Sequence, residues 1–566
     1  MTALVARPAR QRFAGLREET VALVHFRLMV VMLMFVGVTG IIILRLALLW
    51  AFADRPSDAD ALSGIVPPRA DIVDRNGIVL AGTIDAWKIG IHPKRIIGDR
   101  DLIATRLAQL MPNRSEAHYR AILHSKRNFV YLKHEALPEL VQAVNAIGEP
   151  AIVFERETRR YYPQGSLAAH VLGWTDQDGK AASGMELAIN DRLLDPARRN
   201  SKVALSIDSR VQAAVESELN AAITKFSAKA GTGIVLDVHT GELIAMASLP
   251  SFDPNAPNKV PTENLANKVT LDVYELGSTF KMITVANAID SGVVTSMHKR
   301  YDASRPLRIG RFTITDYHDS KRWLDVPELL VNSSNIATAR IADELGAART
   351  QSMFRKLGFD QPVDIELGAR GRPLWPKYWA RVTTMTVGYG HGIAVTPLHL
   401  ANAYAALING GIWRPTTLLR READDIPSGR RVISPATSAR MRQLMRLVVT
   451  EGTGGKADVP GYRIGGKTGT ADKAGVGGYA HHGLVSTFAA VFPMDAPRYV
   501  VIVMLDEPHG TADTGGFATA GQVSAPTVGK IVARAGPLLG VIPDDRREVD
   551  MTGLEDTIWK PKSDED

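Results

Sequence analysis

The chain has 566 residues, more than one hydrophobic core supports, so we expect several domain-sized units. It contains no cysteine, which excludes disulfides, thiolate catalysis and cysteine-ligated metals. The formal net charge is +7, but the sequence has no basic patch interleaved with aromatics, no nucleic-acid motif and no HExxH-type histidine pair. We therefore expect neither a nucleic-acid partner nor a metal site.

An uncharged apolar run lies near the N-terminus. It extends from Leu28 to Leu44, is bracketed by Arg27 and Arg45, and is continued by apolar residues to Trp50. At about 1.5 Å per residue it spans roughly 30 Å, the hydrocarbon thickness of a bilayer. A cleaved signal peptide has a shorter apolar core, so we predict an uncleaved transmembrane helix over 28–50.

Charges around this segment predict its orientation. Residues 1–27 are rich in arginine, whereas the linker predicted over 51–68 carries aspartates. The positive-inside rule then makes 1–27 a cytoplasmic tail and puts the rest of the chain outside the cytoplasm. The flanking charges are Arg7, Arg10, Arg12, Arg17 and Arg27 before the helix, and Asp54, Asp58 and Asp60 after it.

Two larger units follow the linker. Residues 69–204 mix strand-like and helical runs, with a turn at Asn76-Gly77 and a helical HEALPELVQAVNAIG segment, and show no catalytic constellation. Residues 205–543 open with a helical SRVQAAVESELNAAITKF run, then two β-rich runs flanking His239-Thr240-Gly241, which indicates a hairpin. The charged stretch 544–566 is expected to be a flexible tail.

The first candidate catalytic motif is Ser278-x-x-Lys281. Gly277 permits a tight turn, and apolar residues at helical spacing follow it. On a helix, residues three apart share one face, so the lysine amine can reach the serine oxygen. A half-buried lysine near other cations can lose its proton and act as a base. Alone the motif is weak, because such pairs are common on solvated helices.

Two further motifs lie downstream. Ser333-Ser334-Asn335 can project a hydroxyl and an amide into a cleft from a loop between helices, although such residues also favour a plain helix N-cap. Lys467-Thr468-Gly469-Thr470 lies in a β-compatible segment. Its glycine indicates close approach of a ligand or another backbone, and a Gly-containing hairpin strand is the alternative.

In order and spacing these motifs match the S-x-x-K, S-D-N and K-T-G set of serine acyltransferases, with Ser334 replacing the aspartate. The chain resembles a class B penicillin-binding protein, a peptidoglycan D,D-transpeptidase. The opening Arg69-Ala70-Asp71 with the following DRNG, the segment RYYPQGSLAAHVLGW and the stretch GYGHGIAVTPLHLANAYAALINGG resemble that family too. Leu276 departs from its usual proline. Tyr274-Glu275 favours the septal, FtsI-like type.

The resemblance implies an α+β fold with a single transmembrane helix and an elongated pedestal domain of the dimerisation type over 69–204. The transpeptidase domain, 205–543, is then expected to place a five-stranded antiparallel sheet between helices. It also implies a bacterial inner-membrane protein with a periplasmic catalytic domain and no cofactor. Implied partners are stem peptides derived from lipid II, β-lactams, a membrane glycosyltransferase of the SEDS type and other divisome proteins.

The resemblance further implies a role for each motif residue. Ser278, deprotonated by Lys281, attacks the carbonyl between two terminal D-alanines, and an amine from a neighbouring stem resolves the acyl-enzyme. The remaining implied roles are proton relay by Ser333, amide binding by Asn335, positive potential from Lys467, carboxylate binding by Thr468 and Thr470, close approach at Gly469, and an oxyanion hole from the Ser278 and Thr470 N–H groups.

Three alternatives remain open from the sequence. An elongation-type transpeptidase would share the chemistry but not the partners. A hydrolytic, β-lactamase-like or carboxypeptidase-like enzyme would carry the same SxxK and KTG motifs, although the large module before the catalytic unit argues against it. A non-catalytic scaffold or muropeptide sensor would not need all three motifs complete.

Overall fold

The computed structural model describes residues 25–45, 69–176, 178–198, 200–473, 483–554 and 557. The chain divides into two compact units, Met1–Ile65 and Val66–Asp566. The predicted linker over 51–68 and most of the predicted cytoplasmic tail lie outside the described residues.

The first unit contains helix α1 (His25–Arg45). Its 21 residues are long and apolar enough to cross a membrane, and their side chains are exposed. The helix begins three residues before the predicted span of 28–50. Residues 46–50 of that prediction lie outside the described residues.

The second unit begins with a small sheet that belongs to the predicted pedestal. Its longest strand pairs antiparallel with two others, one on each side, and through a short strand it connects to a parallel neighbour. The predicted turn at Asn76-Gly77 separates the first two strands, and Gly77 has a φ of +88°. The strands are β1 (Ile72–Val73), β2 (Val79–Ile91), β3 (Val130–Ala136), β4 (Ile152–Tyr161) and β5 (Val203–Ala204).

Short helices pack around this sheet. The run HEALPELVQAVNAIG is helical only from Pro138, because proline suits the first helical turn and the residues before it pair in β3. Asp99 caps the helix Arg100–Leu110 by accepting from the N–H groups of Asp101 and Leu102. The helices are α2 (Arg100–Leu110), α3 (Glu116–Leu123), α4 (Pro138–Asn145), α5 (Ala169–Leu172), α6 (Gly184–Ala188) and α7 (Asn190–Leu194).

Eleven strands and eight helices are described in the rest of the unit. The strands are β6 (Ala230–Asp237), β7 (Leu243–Leu249), β8 (Tyr301–Asp302), β9 (Leu307–Ile309), β10 (Phe312–Ile314), β11 (Trp323–Leu324), β12 (Ile412–Trp413), β13 (Arg430–Arg431), β14 (Gly465–Asp472), β15 (Leu484–Phe492) and β16 (Tyr499–Asp506). The helices are α8 (Ser209–Lys225), α9 (Phe280–Asp290), α10 (Val326–Val331), α11 (Asn335–Lys356), α12 (Arg381–Val387), α13 (Pro397–Ile408), α14 (Pro435–Thr450) and α15 (Ser524–Leu538).

A five-stranded antiparallel sheet organises this part of the chain, in the order β14-β15-β16-β6-β7. Alternate residues of a strand face opposite sides, so Ile234 and Val235 enter two different hydrophobic clusters. One cluster includes residues of α8 and α15, and the other includes residues of α9 and α13. The sheet therefore lies between helices, and β14 is one of its edges.

The C-terminal segment differs from the expected flexible tail. Residues 544–554 lie against the catalytic unit: Leu554 is buried in one of its two clusters, and Val549 and Met551 pack against that cluster. Glu548 also pairs with the buried Arg446 of α14 at 2.7 Å. The prediction from charged composition was wrong for this segment, because three well-spaced apolar residues anchor it.

Candidate active site

Ser278 lies in a single 3₁₀ turn, Gly277–Thr279, that leads directly into α9. Gly277 has a φ of +54°, and a Cβ there would lie 2.9 Å from the Thr470 carbonyl oxygen. Only glycine meets both requirements without strain. Tyr404 of α13 donates a hydrogen bond from its hydroxyl to the Thr279 carbonyl oxygen at 2.9 Å. The turn is thus fixed from two sides while Ser278 stays partly exposed.

Lys281 lies in the first turn of α9 and is completely buried. Its Nζ donates to the carbonyl oxygen of Ser333 and, at 3.2 Å, to the Ser333 hydroxyl oxygen. Burial, and then the nearby charge of Lys467, lower the pKa of Lys281 well below its usual value. Its direct contact with the Ser278 hydroxyl stays a prediction, since the hydrogen bonds of this amine lead to Ser333.

Lys467 also contacts the Ser333 hydroxyl. It lies on β14, is also completely buried, and places its Nζ 2.9 Å from Ser333 Oγ and 3.2 Å from Thr468 Oγ1. Burial lowers the pKa of Lys467 to about 7. The Ser333 hydroxyl therefore lies between two buried amines that both titrate far below a solvated lysine.

Ser333 lies between α10 and α11, as the loop prediction required. Its φ is +56°, a left-handed conformation that costs a non-glycine residue about 1 kcal/mol or more. Ser334 is the N-cap of α11, accepting from the N–H of Ala337 at 3.0 Å. The loop interpretation of the motif thus applies to Ser333, and the N-cap interpretation applies to Ser334. Asn335 is half-buried and donates from Nδ2 to the Thr315 carbonyl oxygen at 3.0 Å.

The KTG segment forms β14, the edge strand nearest the nucleophile turn. A Cβ on Gly469 would lie 2.3 Å from the Leu276 carbonyl oxygen and 2.8 Å from Thr279 Cγ2. The glycine is therefore needed for close approach of another backbone. Thr468 Oγ1 shares a hydrogen bond with Thr453 Oγ1 at 2.7 Å, and Thr470 Oγ1 accepts from the Ala520 N–H at 3.0 Å.

The structure thus brings the three motifs together. The SxxK helix contacts the SSN loop through Lys281, the SSN loop contacts the KTG strand through Ser333 and Lys467, and the KTG strand contacts the nucleophile turn through Gly469. A serine hydroxyl, two buried amines of lowered pKa and a glycine-containing edge strand form a site suited to acyl transfer on a serine.

Sequence reasoning assigned no site role to two carboxylates next to these motifs. Asp316 accepts from the Ser334 hydroxyl at 2.6 Å and from the Ile336 N–H at 2.9 Å. Glu275 lies 2.9 Å from His391 Nδ1 and accepts from the Gly392 N–H at 3.0 Å. No spacing rule connects these pairs along the chain. Gly390 was the available signal, because a Cβ there would lie 2.2 Å from the Gly277 carbonyl oxygen.

Comparison with known proteins agrees with this geometry. Residues 231–533 match the family model described as "Penicillin binding protein transpeptidase domain", and residues 64–192 match "Penicillin-binding Protein dimerisation domain". The protein from Caulobacter vibrioides named "Probable peptidoglycan D,D-transpeptidase FtsI" is 40% identical over 488 residues, covering 84% of this chain and 82% of the relative. The chain belongs to the penicillin-binding protein transpeptidases of the FtsI type.

Other penicillin-binding proteins share most of this chain's length. "Peptidoglycan D,D-transpeptidase FtsI" of Escherichia coli K12 is 30% identical over 508 residues, which is 84% of each chain. The crystal structure of penicillin-binding protein 3 from Mycobacterium tuberculosis, complexed with aztreonam, aligns with a TM-score of 0.66 and 26% identity. That alignment covers 84% of this chain and 97% of the other. The two-domain fold of the penicillin-binding proteins thus extends over nearly the whole second unit.

Proposed function

We propose that this chain is a peptidoglycan D,D-transpeptidase that cross-links stem peptides during cell division through an acyl-enzyme on Ser278. The observation that carries the proposal is the shared contact of Lys281 and Lys467 with the Ser333 hydroxyl, where Lys281 follows Ser278 by three residues. The relatives named D,D-transpeptidases support the reaction class, and the FtsI names support the role in division.

Acylation begins when Lys281, uncharged because it is buried beside another cation, accepts the Ser278 proton. The freed oxygen attacks the carbonyl carbon of the terminal D-Ala-D-Ala bond. The C–N bond breaks, the Ser333 hydroxyl passes a proton to the departing amine and takes the proton held by Lys281 in return, and D-alanine leaves. Ser278 then holds the stem peptide as an ester.

Deacylation uses a second stem peptide. Its amine attacks the ester carbonyl and loses a proton through Ser333 to Lys281. The new amide bond forms, the ester C–O bond breaks, and Lys281 returns that proton to the Ser278 oxygen. In both steps the N–H groups of Ser278 and Thr470 would stabilise the oxyanion, where losing one donor typically costs about 3–4 kcal/mol. The close approach of Gly277 to the Thr470 backbone supports that arrangement.

The remaining groups bind the substrate. Lys467 supplies positive potential, Thr468 and Thr470 bind the terminal carboxylate, and Asn335 binds a backbone amide. A β-lactam presents a strained amide and a carboxylate to the same groups, so it should acylate Ser278 as well.

The first unit supports anchoring in a membrane. We propose that α1 crosses the bacterial inner membrane once, with the arginine-rich N-terminus in the cytoplasm and the catalytic domain in the periplasm. The pedestal domain would then act as the elongated spacer. A SEDS-type glycosyltransferase and other divisome proteins are the proposed partners, by resemblance to the family.

Covalent labelling tests the nucleophile. The full-length protein is incubated with a fluorescent penicillin, and the labelled peptide is identified by mass spectrometry. We expect the label on Ser278, its loss in Ser278→Ala, and its retention in the matched control Ser291→Ala at the far end of the same helix. Labelling that survives Ser278→Ala would falsify the assignment.

Depletion in cells tests the role in division. Filamentous cells are expected when a septal enzyme is lost, and rounded cells when an elongation enzyme is lost. Rounded cells would leave the chemistry in place and overturn the division role.

A further inference from the structure

The SSN turn is connected to a neighbouring strand end by hydrogen bonds on both sides of Asn335. Asp316, two residues after β10, accepts from the Ser334 hydroxyl through Oδ2 at 2.6 Å and from the Ile336 N–H through Oδ1 at 2.9 Å. The preceding residue, Thr315, accepts from Asn335 Nδ2 at 3.0 Å. One carboxylate thus binds the residues before and after Asn335, and its neighbour binds Asn335 itself.

This connection matters because the turn does not hold its shape by local preference. Ser333 has a φ of +56°, which a non-glycine residue keeps only where its surroundings impose it. The Ser334 hydroxyl makes two hydrogen bonds, donating to Asp316 and accepting from the Ala337 N–H. The hydrogen bonds that Asp316 accepts from Ser334 and Ile336 therefore fix the orientation from which Ser333 reaches the two lysines.

Charge gives Asp316 a second effect on the site. Burial, and then the positive charge of Lys467 on β14, lower the pKa of Lys281. The negative charge of Asp316, on the loop after β10, raises it. Asp316 is half-buried, so solvent screens its field only in part. The negative charge of Asp316 therefore partly offsets the two effects that lower the pKa of Lys281.

The sequence motif explains why this carboxylate comes from elsewhere. The S-D-N pattern carries an aspartate at its middle position. In this chain Ser334 occupies that position, and its hydroxyl donates directly to Asp316, 18 residues earlier. The carboxylate missing from the motif is present one hydrogen bond away.

We propose that Asp316 is a positioning residue of the acyl-transfer site, which orients the Ser333-Ser334-Asn335 turn and places a negative charge near Lys281. The inference rests on the proposed transpeptidase function. Asp316 acts through the turn and through Lys281 and touches no reacting atom.

The test measures the second-order rate of acylation by a fluorescent penicillin as a function of pH, using the full-length protein. In Asp316→Asn one acceptor and the charge are lost, so we expect the maximal rate to fall roughly tenfold or more. Acylation needs uncharged Lys281, and loss of the negative charge lowers the pKa of that lysine. The acidic limb of the profile should therefore move to lower pH.

Two variants separate the effects. Asp319→Asn removes an exposed charge from the same loop and should leave both rate and limb unchanged. Ser334→Ala removes the hydrogen bond to Asp316 but keeps the carboxylate, so the maximal rate should fall while the acidic limb stays in place. A purely structural role for Asp316 would lower the rate without moving the limb.

The outcomes are distinct from those that test the function. Wild-type protein that takes no label at Ser278 would contradict the transpeptidase proposal itself. A labelled wild type, with an Asp316→Asn variant whose thermal stability, rate and acidic limb all match it, overturns the role of Asp316 alone. If Asp316→Asn does not fold, a wild-type rate in Ser334→Ala overturns the positioning role.

Discussion

The ammonium nitrogen of Lys467 lies 2.9 Å from the hydroxyl oxygen of Ser333, although 134 residues separate them in the chain. The same hydroxyl accepts from Lys281 Nζ at 3.2 Å. Two buried amines this close to one acceptor repel each other when both are charged. We therefore expect the pH dependence of the acylation rate to report the protonation of the two lysines as a pair.

Acylation by an anionic β-lactam should decline as the pH rises through neutrality. Burial lowers the pKa of Lys467 to about 7, so this residue is cationic below that pH and neutral above it. Loss of its charge removes the attraction for the ligand carboxylate. Between about pH 6 and pH 8 the charged fraction, and with it the second-order acylation rate, should fall about tenfold.

The matched control for this pH effect is the methyl ester of the same penicillin. The ester carries no carboxylate, so its slower acylation should not decline over that range. Stopped-flow or gel-based labelling gives both profiles. Parallel declines for acid and ester would show that the charge of Lys467 does not act on the carboxylate.

Gly469→Ala should disable the site while leaving the fold in place. Its Cβ would lie 2.3 Å from the Leu276 carbonyl oxygen, so β14 must move away from the nucleophile turn. A displacement of about 1 Å can cost roughly a hundredfold in rate, and we expect an acylation rate lower by about that factor.

The control for this variant is Gly368→Ala, where an added Cβ meets nothing within 4 Å. Acylation and thermal unfolding are measured for both proteins. Wild-type acylation in Gly469→Ala would mean that the edge strand and the turn need not approach as closely as they do here.

Local sequence signals predicted the parts of this site that depend on neighbours in the chain. The glycine turn followed by apolar residues at helical spacing placed Ser278 and Lys281 at the start of a helix, and the structure has that helix from Phe280. The His239-Thr240-Gly241 hairpin likewise lies between β6 and β7. Each of these features is set within a few residues, where propensity and spacing act.

Contacts between distant segments were beyond local signals. The contact of Lys467 with Ser333 was expected only through resemblance to a family, and the hydrogen bond that Ser334 donates to Asp316 was not expected at all. Such contacts depend on how whole elements pack, and a sequence pattern of period two or 3.6 carries no information on which elements meet.

A buried charge cluster in the pedestal should dominate the stability of that domain. Glu186 is completely buried and accepts from Arg69 Nε at 2.9 Å and from Arg160 Nε at 2.5 Å. Glu186→Gln leaves two buried guanidinium groups without their counter-charge. Breaking such an arrangement typically costs about 3–5 kcal/mol, and we expect that loss in the free energy of unfolding measured with urea.

The matched control is the exposed pair of Arg156 and Asp85, whose side chains are 64% and 68% exposed. Asp85→Asn should change the free energy of unfolding by less than about 1 kcal/mol, because solvent screens the pair. Equal effects of the two substitutions would contradict the structural importance of the buried cluster.

The C-terminal segment should stabilise the catalytic unit through Leu554. This side chain is 1% exposed and lies in the same hydrophobic cluster as residues of α9 and α13. Truncating a buried leucine leaves a cavity, so Leu554→Ala should lower the free energy of unfolding by about 2–4 kcal/mol. Leu538, which is 37% exposed at the end of α15, is the control, and Leu538→Ala should cost clearly less. Denaturation of the two variants side by side gives the comparison. If Leu554→Ala unfolds at the wild-type urea concentration, the segment is the flexible tail that its charged composition predicted.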